Sequence, residues 1–244
     1  MTGASAGLGE EFARQLSKRG HSLVLAARRK DRLEALASEL GNARTVEIDL
    51  SAPGATRELI GDVERSGETV GMLINNAGFG LTGRFEAQDP ARLRQMIDLN
   101  CGALTEFCSA VVPQMVKKGS GSILNVASTA AFQPGPGMAV YFATKAYVLS
   151  FTEALHEELR RHGISVSALC PGPTATEFGE VAGFGKSIPK FAIADSGAVV
   201  RAGLRGLDHN RAVVIPGLIN KLSGQGHRLL PRGALRRIAG AIKF

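Results

Sequence analysis

Tryptophan is absent from this 244-residue chain, and only two tyrosines and three cysteines are present. The cysteines, Cys101, Cys108 and Cys170, are odd in number and form no Cys-x-x-Cys pair. Such a set favours neither a disulfide framework nor a zinc site, because both need paired or clustered ligands. We therefore expect free thiols in a reducing, cytoplasmic environment and no bound metal.

Long apolar runs are also missing. No stretch of eighteen or more apolar residues occurs, so the sequence predicts no membrane-spanning helix. The first residues lack a charged and then apolar leader, so secretion is not indicated. With 44% hydrophobic and 21% charged residues, a chain of this length is typical of one α/β domain, or of two small ones, around a sizeable core.

Acidic residues are missing from the end of the chain, after Asp208. Seven basic residues occur there, namely Arg211, Lys221, Arg228, Arg232, Arg236, Arg237 and Lys243. The chain as a whole has 29 basic and 22 acidic residues, so the part before this tail is balanced. The net charge of +7 is therefore a local property of the tail, which argues against a basic groove for nucleic acid.

Short, almost wholly apolar segments alternate with amphipathic ones. The predicted strands are 22–27, 45–48, 70–74, 122–127, 164–169 and 212–215. The predicted helices are 10–19, 32–40, 56–65, 89–115 with an interruption near 100–102, 141–161 and 196–207. Strands that are apolar on both faces and alternate with helices indicate a parallel sheet covered on both sides. We predict a doubly wound, Rossmann-like, three-layer α/β fold with one domain over 1–217 and an extension over 218–244.

A glycine-rich turn opens the chain, which reads MTGASAGLG over 1–9. Glycines before a helix let the backbone approach a phosphate, and the helix start supplies unpaired N–H groups. A plain turn or helix cap is the alternative interpretation. In a dinucleotide-binding fold a central strand precedes this turn, yet only Met1 precedes Thr2. We therefore expect that the natural start lies upstream or that the chain is shortened, and that the chain as given folds poorly.

Basic residues follow the predicted strand 22–27 directly, as Arg28, Arg29 and Lys30. At this place an acidic side chain favours a free ribose 2′-hydroxyl, whereas an arginine accommodates a 2′-phosphate. Arg28 thus predicts NADP(H) as the cofactor. The alternative is a solvated charge cluster before a helix.

Three polar side chains lie at sequence separations that suit catalysis. Tyr141 and Lys145 are four residues apart, so a helix places both on one face. Ser128 follows the predicted strand 122–127. Together they provide a hydroxyl, a phenol and an ammonium for one carbonyl or alcohol. Taken singly, each has a structural alternative, as a cap, a helix-start tyrosine or a solvated lysine.

These motifs carry a family resemblance. TGASAGLG at 2–9, NNAG at 75–78, Asn100, Ser128, YFATK at 141–145 and PGPTAT at 171–176 have the order and spacing found in short-chain dehydrogenase/reductases. The resemblance implies an NADP-dependent oxidoreductase in which Tyr141 is the general acid or base and Ser128 holds the substrate oxygen. It further implies that Lys145 contacts the nicotinamide ribose and that Asn100 holds a water in a proton relay. The Lys145 ammonium is expected to lower the pKa of Tyr141.

The same resemblance implies a set of cofactor-binding residues around the turn and the strand ends. They are Gly3, Ser5, Gly7, Leu8, Gly9, Arg28, Asp49, Leu50, Asn76, Ala77, Gly78, Tyr141, Lys145, Pro171, Gly172, Thr174 and Thr176. The segments expected around the substrate, 79–81, 131–138 and 178–191, are largely apolar. They predict an apolar ketone or alcohol as substrate, and the last of them is predicted to be a lid. Self-packing of their aromatic residues is the alternative.

The tail mixes basic and apolar residues, and Leu235, Ile238 and Ile242 fit one helical face. Such a helix either lies on an anionic membrane surface or packs on the protein, over the cleft or against a partner subunit. Members of the family often form homodimers or homotetramers, here through 103–117 and 141–161. The rival to an enzyme is a non-catalytic NADP(H)-binding regulator or membrane-surface adaptor on the same fold.

Overall fold

Helices and strands alternate along the chain as the apolar pattern predicts. The computed structural model describes residues 1–183, 193–226 and 231–241. Its strands are β1 (Leu23–Ala27), β2 (Ala43–Glu47), β3 (Met72–Asn75), β4 (Gly121–Val126), β5 (Ile164–Leu169) and β6 (Val213–Val214). Its helices are α1 (Gly7–Lys18), α2 (Lys30–Leu40), α3 (Ala55–Arg65), α4 (Pro90–Ile97), α5 (Leu104–Lys118), α6 (Ala139–Arg160), α7 (Phe178–Ala182), α8 (Ser196–Asp208), α9 (Leu218–Gly226) and α10 (Arg232–Ala241).

All strand pairs are parallel, with β1 beside β2 and the other four in the order β3-β4-β5-β6. Successive residues of a strand point to opposite faces, and the two cores follow this alternation. Ile123 packs with α3, α5 and α6 on one face, whereas Leu124 packs with α1, α2 and α8 on the other. The doubly wound, three-layer fold is confirmed.

Met1 and Thr2 lie between β1 and β3, where a central strand belongs. Thr2 N–H donates to Ile74 O at 3.0 Å, and Ala26 N–H donates to Met1 O at 3.0 Å. Thr2 also forms a parallel bridge with Ala26. In the described part of the chain this short contact is what joins the two groups of strands there. The expectation that the chain folds poorly stays a prediction.

The predicted interruption near residue 100 is a π-helix, Asp98–Ala103, between α4 and α5.

Within the sheet, a series of buried hydrogen bonds that the sequence did not reveal links Asn75 to Asn125 at 3.0 Å and Asn125 to Thr152 at 3.0 Å. The amides satisfy one another in the core, where an unpaired amide is costly. This series of hydrogen bonds ties β3, β4 and α6 together beneath the site.

Both tail helices, α9 and α10, contact the segment that leads into α6. An added Cβ at Gly224 would lie 3.2 Å from the Phe132 ring, and one at Gly240 would lie 3.9 Å from Pro136. The opposite face of α9 leaves Leu218, Ile219 and Leu222 exposed. In the described ranges no helix combines the length and apolarity that a bilayer crossing needs. The predicted tail residue Ile242 and the end of the predicted lid, 184–191, lie outside the described residues.

Candidate active site

Ser128 follows β4 and caps a short 3₁₀ helix, Thr129–Phe132. Its Oγ accepts a hydrogen bond from Ala130 N–H at 3.1 Å and donates to Pro171 O at 3.4 Å. The hydroxyl is therefore oriented by the segments that follow β4 and β5. Parallel strands direct their carboxyl ends to one edge of the sheet, which is where ligands bind in such folds.

Tyr141 lies in the first turns of α6 and is buried, with 7% of its surface exposed. Its ring is 5.4 Å from the Phe178 ring and 6.1 Å from the Phe142 ring, measured between centroids. Burial raises the pKa of Tyr141 to about 12, and a hydrogen bond with the Ser128 hydroxyl acts in the opposite direction. In the free protein the phenol is thus protonated at neutral pH.

Lys145 lies one turn further along α6 and is also buried. Its Nζ donates to Val126 O at 2.8 Å and is 5.8 Å from the centroid of the Tyr141 ring. The expected lowering of the Tyr141 pKa by this ammonium stays a prediction for the cofactor-bound protein, since in the free protein burial determines the direction of the shift. Burial lowers the pKa of Lys145 to about 8, partly offset by the thiols of Cys101 and Cys170.

The lowered pKa of Lys145 predicts a pH dependence of stability. Between pH 8 and 10.5 the unfolded chain holds a proton that folded Lys145 has released, so the contribution of Lys145 to the free energy of unfolding rises with pH. In Lys145→Met this contribution is expected to vanish. Urea unfolding of the cofactor-free protein and the variant at pH 8, 9 and 10 checks this, and parallel profiles for the two proteins would contradict it.

Asn100 lies in the π-helix and is 1% exposed. Its Oδ1 accepts from Phe79 N–H at 3.1 Å, while its Nδ2 donates to Phe79 O at 3.0 Å and to Thr144 Oγ1 at 3.0 Å. Gly78 passes so close that an added Cβ would be 2.9 Å from Asn100 Oδ1 and 3.7 Å from Lys145 Nζ. Asn100 therefore positions the segment after β3 beside Lys145. Its part in a water relay stays a prediction.

The glycine-rich turn lies at the same edge of the sheet. Gly3 has a φ of +65°, a backbone conformation that residues other than glycine adopt with strain. The helix α1 begins at Gly7, and no side chain caps its start. Asn76 Nδ2 holds the turn through bonds to Thr2 O at 3.2 Å and Gly3 O at 3.0 Å. Uncapped N–H groups and a close backbone approach fit a pyrophosphate.

The two arginines after β1 differ in their surroundings. Arg28 is exposed, and its charge is one of the causes that lower the pKa of nearby Asp49. Arg29, which the sequence analysis did not single out, lies on the turn, with Nε donating to Ser5 Oγ at 3.2 Å and Nη2 to Ser5 O at 3.2 Å. The sequence feature that could have identified Arg29 is its position directly before α2. The structure thus adds Arg29 to Arg28 as a candidate for the 2′-phosphate.

The other predicted cofactor contacts follow β2 and β5. Asp49 Oδ1 accepts from Ser51 N–H at 3.0 Å, and Leu50 is buried. Thr174 Oγ1 donates to Gly172 O at 2.9 Å. Thr176 faces the turn, since an added Cβ at Gly7 would lie 3.0 Å from it. The structure brings the predicted residues to one edge, and their contacts with a cofactor stay predictions.

Comparisons with known proteins agree with this geometry. A profile of the short chain dehydrogenase family matches residues 1–184. The NADP-dependent 3-hydroxy acid dehydrogenase YdfG of Salmonella typhi is 37% identical over 186 residues, which cover 74% of this chain and 74% of that protein.

Two solved structures resemble this one along nearly its full length. A short-chain dehydrogenase from Sphingobium yanoikuyae in complex with NADPH is 35% identical, with a TM-score of 0.85 over 100% of this chain and 95% of that one. The bulky-bulky ketone specific alcohol dehydrogenase from Comamonas testosteroni is 33% identical, with a TM-score of 0.80 over 94% and 91%. The chain therefore belongs to the short-chain dehydrogenase/reductase family and is an NAD(P)-dependent oxidoreductase acting on alcohol or carbonyl groups.

Proposed function

We propose that this protein is an NADP(H)-dependent oxidoreductase of apolar ketones or secondary alcohols, with Tyr141 as the acid or base. The observation that carries the proposal is the buried phenol of Tyr141 at the carboxyl edge of the sheet, near the Ser128 hydroxyl that acts on its pKa and one helical turn from Lys145. Proximity of a proton donor, a hydroxyl and a cation is what proton transfer to a carbonyl oxygen requires.

Tyr141 supplies the proton in this proposal. With its pKa raised to about 12, the phenol holds its proton at neutral pH and donates it to a carbonyl oxygen during reduction. The Ser128 hydroxyl hydrogen-bonds the same oxygen as negative charge develops there. Lys145, tied to Val126 O, keeps a cation near the phenolate that forms.

The cofactor fits the edge of the sheet through the chain's own groups. The turn 3–9 and the uncapped start of α1 would bind the pyrophosphate, and Arg28 with Arg29 would bind the 2′-phosphate. When bound, NADPH supplies the hydride. The NADPH found in the Sphingobium relative supports this choice of cofactor.

Apolar side chains surround Tyr141 and support an apolar substrate. Met138, Phe142 and Ala182 pack with Tyr141, with partly buried residues Phe79, Leu81 and Phe178 at the edge of the cluster. Burying a hydrocarbon group there releases its surface from water. The ketone named for the Comamonas relative is also bulky on both sides of the carbonyl. A non-catalytic regulator is less favoured, because it would not need this set of polar groups.

The tail contributes to the site region by packing. Because α9 and α10 contact the segment before Tyr141, they support the prediction of packing on the protein, over one side of the cleft. Contact of the exposed face of α9 with an anionic membrane stays a prediction, as do the oligomeric state, the cytoplasmic location and the absence of a nucleic-acid partner.

A panel of ketones tests the proposed activity. Aryl and alkyl ketones with bulky groups on both sides are expected to be reduced with NADPH, whereas sugar ketones and phosphorylated ketones are not. Oxidation of NADPH followed at 340 nm measures the rates. Parallel assays with NADH serve as the comparison, and a faster NADH reaction or a preference for sugar phosphates would refute the proposal.

A further inference from the structure

Glu177 bridges two arginines across the candidate cofactor cleft. Its Oε2 accepts from Arg29 Nη1 at 2.9 Å, and its Oε1 accepts from Arg32 Nη1 at 2.6 Å. Both arginines belong to the start of α2, whereas Glu177 lies on the segment between β5 and α7. The ion pairs therefore connect the two halves of the fold at the level of the glycine-rich turn.

Arg29 is the arginine that contacts the turn, and each of its three nitrogens already donates one hydrogen bond. Nε and Nη2 bind Ser5, and Nη1 binds the carboxylate of Glu177. A guanidinium has five N–H donors in a fixed plane and binds carboxylate and phosphate in the same way. An incoming phosphate at Arg29 consequently meets an anion that is already bound there.

We propose that Glu177 sets the preference between NADPH and NADH, because its carboxylate holds Arg29 and Arg32 in the free protein and must yield them to the 2′-phosphate. The inference rests on the proposed function, since it needs the 2′-phosphate to be placed at Arg29. NADH, which carries a 2′-hydroxyl, leaves the ion pairs intact. Glu177 thereby weakens NADPH binding and has little effect on NADH binding.

The exposure of this network suits replacement of one anion by another. The side chains of Arg29, Arg32 and Glu177 are 41%, 45% and 44% exposed. Exposed ion pairs are weak and are screened by salt. A phosphate monoester carries nearly twice the charge of a carboxylate and more acceptor oxygens, so it displaces Glu177 without a large penalty.

The same contacts connect cofactor binding to the substrate side. Thr176 lies against Gly7 of the turn, and Phe178 lies against Tyr141. Glu177 stands between them, so its ion pairs lie in the segment that joins the turn to the Tyr141 region. Arg29 and Arg32 also keep the pKa of Glu177 below its usual value, so the carboxylate is charged at neutral pH.

Glu177→Gln tests the proposal because it keeps the shape of the side chain and removes the charge. Kd values for NADPH and NADH are measured by the fluorescence of the reduced nicotinamide. The chain has no tryptophan whose fluorescence would interfere with that signal. At low salt the variant is expected to bind NADPH about threefold to fivefold more tightly, with NADH unchanged. The gain is expected to shrink at 0.5 M salt.

Asp208→Asn is the matched control. It removes an ion pair to Arg19 at 3.0 Å, with side-chain exposures of 36% and 46%, away from the cleft. Neither Kd is expected to change. An unchanged NADPH Kd in Glu177→Gln, or an equal change for both cofactors, overturns the role of Glu177. The wild-type ratio of the two Kd values reports separately on the proposed cofactor, so the two failures are distinguishable.

Discussion

Replacing Tyr141 with phenylalanine is expected to lower kcat for ketone reduction by about 10³-fold, within the range of about 10²–10⁴ that general acid–base catalysis contributes. The variant loses the phenolic proton and keeps the ring that packs against Phe142 and Phe178. Because the ring stays, the free energy of unfolding and the Kd for NADPH are expected to change little. Steady-state kinetics, urea unfolding and cofactor fluorescence measure the three quantities.

Tyr147→Phe is the matched control, since it alters the other tyrosine of the chain on the same helix. Tyr147 is 43% exposed, and its hydroxyl is 2.8 Å from Thr105 Oγ1. This variant is expected to keep kcat within about twofold, because an exposed hydrogen bond contributes little. Comparable losses in both variants, or retained turnover in Tyr141→Phe, would remove Tyr141 from the mechanism.

Replacing Gly9 with alanine is expected to destabilise the fold by about 3 kcal/mol, the upper end of the usual cost of overpacking. An added Cβ there would overlap Gly3 O and lie 2.7 Å from Asn76 Nδ2. The obstacle is backbone, which no side-chain rotation relieves. The turn must shift, and with it the start of α1, so NADPH binding is expected to weaken at least tenfold. Thermal unfolding and cofactor titration measure the two effects.

Gly71→Ala is the control for a glycine with room around it. It precedes β3, is exposed, and an added Cβ there meets no atom within 4 Å. Its stability is expected to stay within about 0.5 kcal/mol of the parent protein. If Gly9→Ala is as stable as Gly71→Ala, the close packing of the turn against Asn76 does not contribute to the stability of the fold.

The fold was predictable because most of the strands are largely apolar on both faces. A segment such as Ile164–Leu169 has few stable alternatives to a central parallel strand, and its observed bounds match the prediction. The interruption at Asn100 was also visible in the sequence, but its nature was not. A π-helix differs from other helix breaks in its backbone hydrogen-bond pattern, which residue types alone do not reveal.

The residue types of the site and their order along the chain are properties of the sequence, and they were enough to assign the family. The pKa values were not, because a charge is stabilised or destabilised by its surroundings. In the free protein, burial raises the pKa of Tyr141. Local sequence also did not distinguish Arg28 from Arg29.

Contacts between distant segments were decided by the tertiary structure alone. Glu177 meets Arg29 across 148 positions of sequence, and Asn76 meets Gly3 across 73. Such pairs depend on how the strands are ordered in the sheet, which no local pattern encodes. The sequence by itself determined which groups are available for hydride and proton transfer. The tertiary structure decided which of them are buried, which are paired and which anion holds the arginines.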